Sequence, residues 1–144
     1  MVIATDTSFL FSLYGADCHT SVAKAWSSSN NSPIHIHVLA RFELLNSFRF
    51  AECRKFVPPG TALNYSASFE IDASKRLLKE THVNFGDLFA EALRISESRT
   101  LAGGHRSFDI LHVAAAKIID ATHFLTFDAN QKELAESEDL IVPF

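Results

Sequence analysis

The sequence predicts an α/β/α sandwich, a mostly parallel sheet with helices on both faces, folded as a single domain over residues 1–144. Runs of β-prone apolar residues alternate with stretches of helical periodicity along nearly the whole chain. Strands joined by helices imply right-handed crossovers and parallel pairing. One helical segment, DILHVAAAKIID at 109–120, is apolar on nearly every side, which places it inside the molecule and not on its surface. A length of 144 residues with 47% apolar content can bury a core without disulfides or structural metals.

The elements follow in order. VIAT at 2–5 is a strand that stops at Asp6, where TDTSFL supplies capping residues ahead of Phe9, Leu10 and Leu13. A second helix is expected from about His19 to Ser28, with Val22, Ala25 and Trp26 on one side, before the turn-rich break SSSNNSP. IHIHV at 34–38 is the next strand. From Leu39 the segment LARFELLNSFRFAEC spaces Leu44, Leu45, Phe48 and Ala51 as a helix does, and FVPPG ends it because prolines and glycine cannot continue it.

One or two polar, amphipathic helices are expected from about Ala62 to Glu80, ending in SKRLLKE, with a short strand near THVNF. Gly86 to Arg99 reads as a helix through Leu88, Phe89, Ala92, Leu93 and Ile95, and LAGGH as a flexible loop. After the interior helix, HFLTF is a strand that stops at Asp128, DANQKELAES is a helix, and LIVPF closes the sheet as a last strand.

The start MVIATD runs straight into a strand pattern with no basic leader, long apolar stretch or cleavage site, so a cytosolic protein with no membrane segment is expected. Cys18 and Cys53 read as helical positions outside any CxxC or Cys/His pattern, which makes them buried free thiols and not zinc ligands or a disulfide framework. The net charge of −4 does not advertise a nucleic-acid binder. That objection weakens if the acidity holds divalent cations, and 10 of the 13 basic residues lie between Arg41 and Arg106.

In a parallel sheet each returning helix begins at the edge where strands end, and ligands bind there. Asp6 and Asp128 follow strands, Glu43 lies early in the helix after the second strand, and Asp109 starts the interior helix. All of these acids therefore map to one edge. Carboxylates a few ångströms apart cannot all stay ionised without cations. Oxygen ligands without cysteine or organised histidine favour Mg²⁺ or Mn²⁺, and the natural substrate is then a phosphodiester. Each acid also has a plainer reading: Asp6 and Asp128 as helix caps, Asp109 as a first-turn acid facing the helix dipole, Glu43 as a solvated surface residue.

Four blocks, TDTSFL at Thr5–Leu10, FELLNSFR at Phe42–Arg49, RSFDILHVAAA at Arg106–Ala116 and FLTFDANQ at Phe124–Gln131, resemble those of PIN-domain proteins. The closest resemblance is to VapC-type toxin ribonucleases of bacterial and archaeal toxin and antitoxin pairs. The resemblance implies five mainly parallel strands and Mg²⁺- or Mn²⁺-dependent endonucleolytic cleavage of RNA. It also implies a cognate antitoxin, which often places an Arg or Lys among the acids, and a homodimer. The family's metal positions fall on Asp6, Glu43, Asp109 and Asp128, and Thr126 resembles its supporting hydroxyl.

Other residues keep two readings. Asn46, on the face of Glu43, orients a carboxylate or a metal-bound water, or is an ordinary exposed Asn. Ser8 touches a metal-bound water or caps its helix, and Asn130 binds substrate or stabilises a helix start. His112 belongs to the site or is a satisfied core histidine. His35 and His37 share a strand face and read as structural. Arg106, after Gly103, Gly104 and His105, holds the RNA backbone or makes a surface salt bridge. Two competing functions are a phosphatase of the haloacid-dehalogenase type, disfavoured because Ser8 stands where its second Asp belongs, and a catalytically idle PIN-like module that binds RNA or a protein.

Overall fold

A computed structural model describes residues 1–75 and 77–144. Four strands, β1 (Ile3–Thr5), β2 (Ile34–Ile36), β3 (Leu78–Glu80) and β4 (His123–Leu125), form one parallel sheet in the order β3-β2-β1-β4. The helices are α1 (Thr7–Tyr14), α2 (Thr20–Ser29), α3 (Val38–Cys53), α4 (Thr61–Ser74), α5 (Phe85–Ile95), α6 (Leu101–Gly103), α7 (Ser107–Ile118) and α8 (Ala129–Ser137). No described helix is long and apolar enough to cross a membrane.

Alternation along the strands builds two cores. Ile3 and Leu125 point to one face with Ile34, Ile36 and Leu78, where they meet Phe9, Leu10, Leu44, Phe48 and Phe69 of α1, α3 and α4. Ala4 and Phe124 point to the other face, against α5, α7 and α8. The sandwich expected from the sequence is thus present, and the interior helix is too: every residue from Asp109 to Ala116 is buried.

Local chemistry sets the element ends. Asp6 caps α1 by accepting from the Phe9 N–H at 3.1 Å, and Asn84 caps α5 through the Gly86 and Asp87 N–H groups. Glu52 of α3 reaches across the proline turn to accept from the Gly60 and Ala62 N–H groups at 3.0 and 2.8 Å, starting α4 where Gly60 adopts φ 86°.

Several expectations are corrected. The third strand is Leu78–Glu80, inside the segment read as helix, and THVNF contributes no strand. Arg76 of that segment lies outside the described residues. Among the described residues the sheet has four strands and not five, because LIVPF contributes a single bridge, Ile141 to His123. Past Ile95, α5 continues as a π-helical turn (Ser96–Thr100), and LAGGH begins with the short α6. In α2 the buried residue is Ala23, while Val22 and Ala25 are exposed. Both cysteines are exposed, Cys18 in a turn before α2 and Cys53 at the end of α3. Gly15 ends α1 early, so the helical spacing read around Cys18 has no helix to occupy.

The strand order reverses direction at β1: β2 and β3 lie to one side and β4 to the other. Connections leaving β1 and β4 on opposite faces open a crevice at the carboxyl end of β1. Asp6 is the first residue beyond that end.

Candidate active site

Asp6 is buried, 5% exposed, and donors surround it. Ser8 Oγ lies 2.8 and 2.9 Å from its two oxygens, and Thr126 Oγ1 donates to Oδ2 at 2.6 Å. Both hydroxyls also accept a backbone N–H, Ser8 from Phe127 at 2.9 Å and Thr126 from Asp128 at 3.0 Å. One carboxylate therefore ties α1 to the chain leaving β4. Burial pushes the Asp6 carboxyl above its ordinary value, opposed first by Thr126 and then by the charge of His112, the Phe9 N–H and Ser8.

Asp128 caps α8, its Oδ1 accepting from the Asn130 and Gln131 N–H groups at 2.9 and 3.0 Å. Its Oδ2 faces Arg106 Nη2 at 3.4 Å. The same guanidinium grips Asp109, with Nε to Oδ2 at 2.8 Å and Nη2 to Oδ1 at 3.3 Å. A single cation thus sits between carboxylates from α7 and α8. Bonding to Asp109 first, then its charge and those of Asp128 and Glu43, raises the Arg106 pKa despite some desolvation. Gln131, fully buried, donates to the Asp109 carbonyl at 3.0 Å and fixes α8 against α7.

Glu43 lies in the second turn of α3. Burial alone would raise its carboxyl, but hydrogen bonds from His112 Nε2 at 2.7 Å and from Thr7 Oγ1 outweigh that and hold it below its ordinary range. His112 Nδ1 in turn meets His37 Nε2 at 3.1 Å. Burial first, and then the neighbouring His112, pushes His37 down to about 3, so His37 is neutral across physiological pH.

The structure therefore joins Asp6, Ser8, Thr126, Asp128, Arg106 and Asp109 in one hydrogen-bonded network at one sheet edge, while Glu43 belongs to a separate cluster with Thr7, His112 and His37. It places Asn46 apart, exposed and without a side-chain hydrogen bond to the acids among the described residues; Asn130 contributes its backbone N–H. His35 bonds Thr81 at 3.0 Å, away from the acids. Sequence reading missed Thr7, Gln131 and the role of His37. The one available signal was the single-turn spacing of Asp109 and His112, which left His112 undecided.

Among the described residues no three acidic, His or Cys side chains stand close enough together to hold a metal ion as they are arranged. The reason is visible in the network: each carboxylate is already met by hydroxyl, imidazole or guanidinium donors. The acids nonetheless form an oxygen-only donor set, and the guanidinium between Asp109 and Asp128 marks a position where positive charge is accommodated.

The sequence model of the PIN domain family matches residues 3–137. Among solved structures, the fold is similar to that of VapC20 of Mycobacterium tuberculosis, described as a Sarcin-Ricin loop cleaving toxin. That alignment has a TM-score of 0.69 and 17% identity and covers 91% of this chain and 93% of that one. PAE2754 of Pyrobaculum aerophilum aligns with a TM-score of 0.63 and 17% identity, over 99% of this chain and 89% of that one. At such identities the likeness is one of fold. No curated protein sequence matches the chain.

Proposed function

Because the chain belongs to the PIN-domain family, we propose that it is a divalent-metal-dependent endoribonuclease, the toxin of a type II toxin and antitoxin pair. The observation that carries this reading is the guanidinium shared by Asp109 and Asp128, beside Asp6 at the crevice of a parallel sheet. Carboxylates from separate elements there compete for one cation. Asp6, Glu43, Asp109 and Asp128 fit Mg²⁺ or Mn²⁺ because they are hard oxygen donors. When bound, such an ion lowers the pKa of water and offsets charge building on a phosphodiester.

The chain's own residues do the rest. Ser8 and Thr126 hold Asp6 in one orientation and oppose the rise that burial imposes on its pKa. Thr7 and His112 hold Glu43, and neutral His37 fixes the tautomer and plane of His112. Arg106, 70% exposed, leaves the acids and takes a phosphate oxygen of the RNA. An antitoxin covering this edge would set its own Lys or Arg where Arg106 lies. The toxin acts in the cytosol as a homodimer.

The test is cleavage of structured RNAs, a sarcin-ricin loop among them, in Mg²⁺ or Mn²⁺ with and without EDTA, comparing wild type with Asp6→Asn and Asp109→Asn. Cleavage lost with EDTA and in both variants supports the reading. Cleavage without metal, or at full rate in the variants, overturns it. A second reading, an idle module that binds RNA or a protein, is favoured by the absence of three converging acids among the described residues. RNA binding without cleavage in any divalent ion would establish that reading instead.

A further inference from the structure

An open groove of about 360 Å³ runs alongside Ser8 and Asp128, within the roughly 300–1,000 Å³ range of small-ligand sites. Its walls include Ser12, Asp17, His19, Ser47 and Phe127. The exposed His19 ring lies flat on Phe127, centroids 4.5 Å apart and planes inclined by 6°. Phe127 is itself stacked on the fully buried Phe9 at 5.8 Å and packed against Phe144 at 4.9 Å. His19 is thus the outermost ring of an aromatic pile rooted in the core. Its backbone is fixed by Asp17 Oδ1, which accepts from the His19 N–H at 2.8 Å. Phe127 directly precedes Asp128, so the pile and the carboxylates share one turn of chain.

We propose that this groove is a base-binding subsite: it stacks an unpaired RNA base on the His19 and Phe127 pile, next to the phosphodiester presented to the acids. This deepens the ribonuclease reading and rests on it. Charge selects a base over backbone phosphate. Among the described residues no Lys or Arg lines the groove, and Asp17 on its wall disfavours phosphate oxygens there, whereas Asp128 is already paired with Arg106. The polar groups suit a base edge. Asp17 Oδ2 accepts from Ser12 at 2.7 Å, and a carboxylate oxygen has a second lone pair with which to accept a base N–H. Stacking on an aromatic face is the usual way proteins hold unpaired bases, and every base has such a face.

The test measures binding of a short labelled single-stranded RNA by fluorescence anisotropy in EDTA, with each nucleotide in turn made abasic. For wild type, one abasic position weakens binding about five- to tenfold, as loss of one exposed stack does. His19→Ala weakens binding of the intact RNA by a similar factor, and its binding no longer responds to that abasic position. His19→Phe restores both the affinity and the response. Circular dichroism and thermal melting confirm that these surface variants are folded.

An abasic effect that persists in His19→Ala, or no position-specific effect in wild type, overturns the subsite. So does a His19 dependence that follows neutralisation of one phosphate and not removal of a base. Wild-type cleavage of RNA in Mn²⁺ under any of those outcomes leaves the ribonuclease reading standing. Neither cleavage nor binding by wild type refutes both.

Discussion

Replacing Thr126 with valine keeps the side chain's shape and deletes one hydroxyl. That hydroxyl donates to Asp6 at 2.6 Å and accepts from the Asp128 N–H at 3.0 Å, and the residue is 1% exposed. Losing a buried bond to a carboxyl oxygen, with a backbone donor left short of a partner, costs about 2–3 kcal/mol. For a chain of this size the melting temperature falls by roughly 5–10 °C. The cost depends on pH in a defined direction. Asp6 has a folded pKa above its ordinary 3.8, so its contribution to stability is fully present below 3.8 and is lost as pH rises through the folded value. Thr126 is the strongest of the groups opposing that rise. In the valine variant the folded pKa climbs further and the loss deepens. The gap between wild type and variant is therefore narrow in acid and widens as pH rises through the folded values.

Urea unfolding in EDTA over a series of pH values measures this gap. Thr5→Val is the control, because its equally buried hydroxyl bonds only the Asp6 and Leu125 carbonyls at 3.1 Å, so its cost is set apart from the ionisation of Asp6. A Thr126→Val penalty that is flat with pH, or that tracks the Thr5→Val penalty, would refute the assignment of Thr126 as the main group opposing the rise of the Asp6 pKa.

Three further outcomes are expected. Arg106→Ala leaves the melting temperature nearly unchanged, because the side chain is 70% exposed, yet it tightens Mn²⁺ binding by calorimetry and lowers the salt slope of RNA binding by about 1; unchanged metal and RNA affinity would end its role. Gly103→Ala places a Cβ 2.2 Å from His105 Nε2 and costs about 1–3 kcal/mol by urea unfolding. In a His105→Ala background most of that cost disappears, and a cost that persists would point to backbone strain instead. Burial alone would raise the Glu138 carboxyl, but Arg94 and Arg99 hold it below its ordinary 4.5. Glu138→Gln therefore costs about 2 kcal/mol near neutral pH, a gap that closes as pH falls below 4.5 and that urea unfolding at both pH values reads.

What the sequence discloses here is what depends on chain direction. Asp6 and Asp128 could be placed because each follows a β-prone run and opens a helix, and Asp109 because a helix feeding a parallel strand must start at the opposite edge. The third strand escaped because Leu78–Glu80 carries one buried apolar residue and two exposed charged ones, at the end of the sheet where little patterning is demanded. THVNF had the better β composition, but only its first residue, Thr81, bonds β2, through the Ile36 carbonyl at 2.7 Å. The bond from Thr7 to Glu43 and the His37 to His112 pairing join residues 36 and 75 positions apart, and no periodicity records side chains that meet across separate elements. The Arg106 bridge was half visible: its spacing from Asp109 suits one helical turn, whereas Asp128 lies 22 residues away.

The pairing of β1 with β4 has a consequence in time. Asp6 is made well before the Thr126 hydroxyl that holds it, which comes 120 residues later. A nascent chain that stops before His123 already carries Asp6, Glu43 and Asp109, but it has no strand to close the open edge of β1 and no Asp128. Contacts of such long range also form late in folding, after the loop-closure entropy between them has been overcome. The network around Asp6 is thus completed only once β4 has emerged and docked against β1, and a copy in which β4 is absent or undocked lacks both the Thr126 hydroxyl and Asp128.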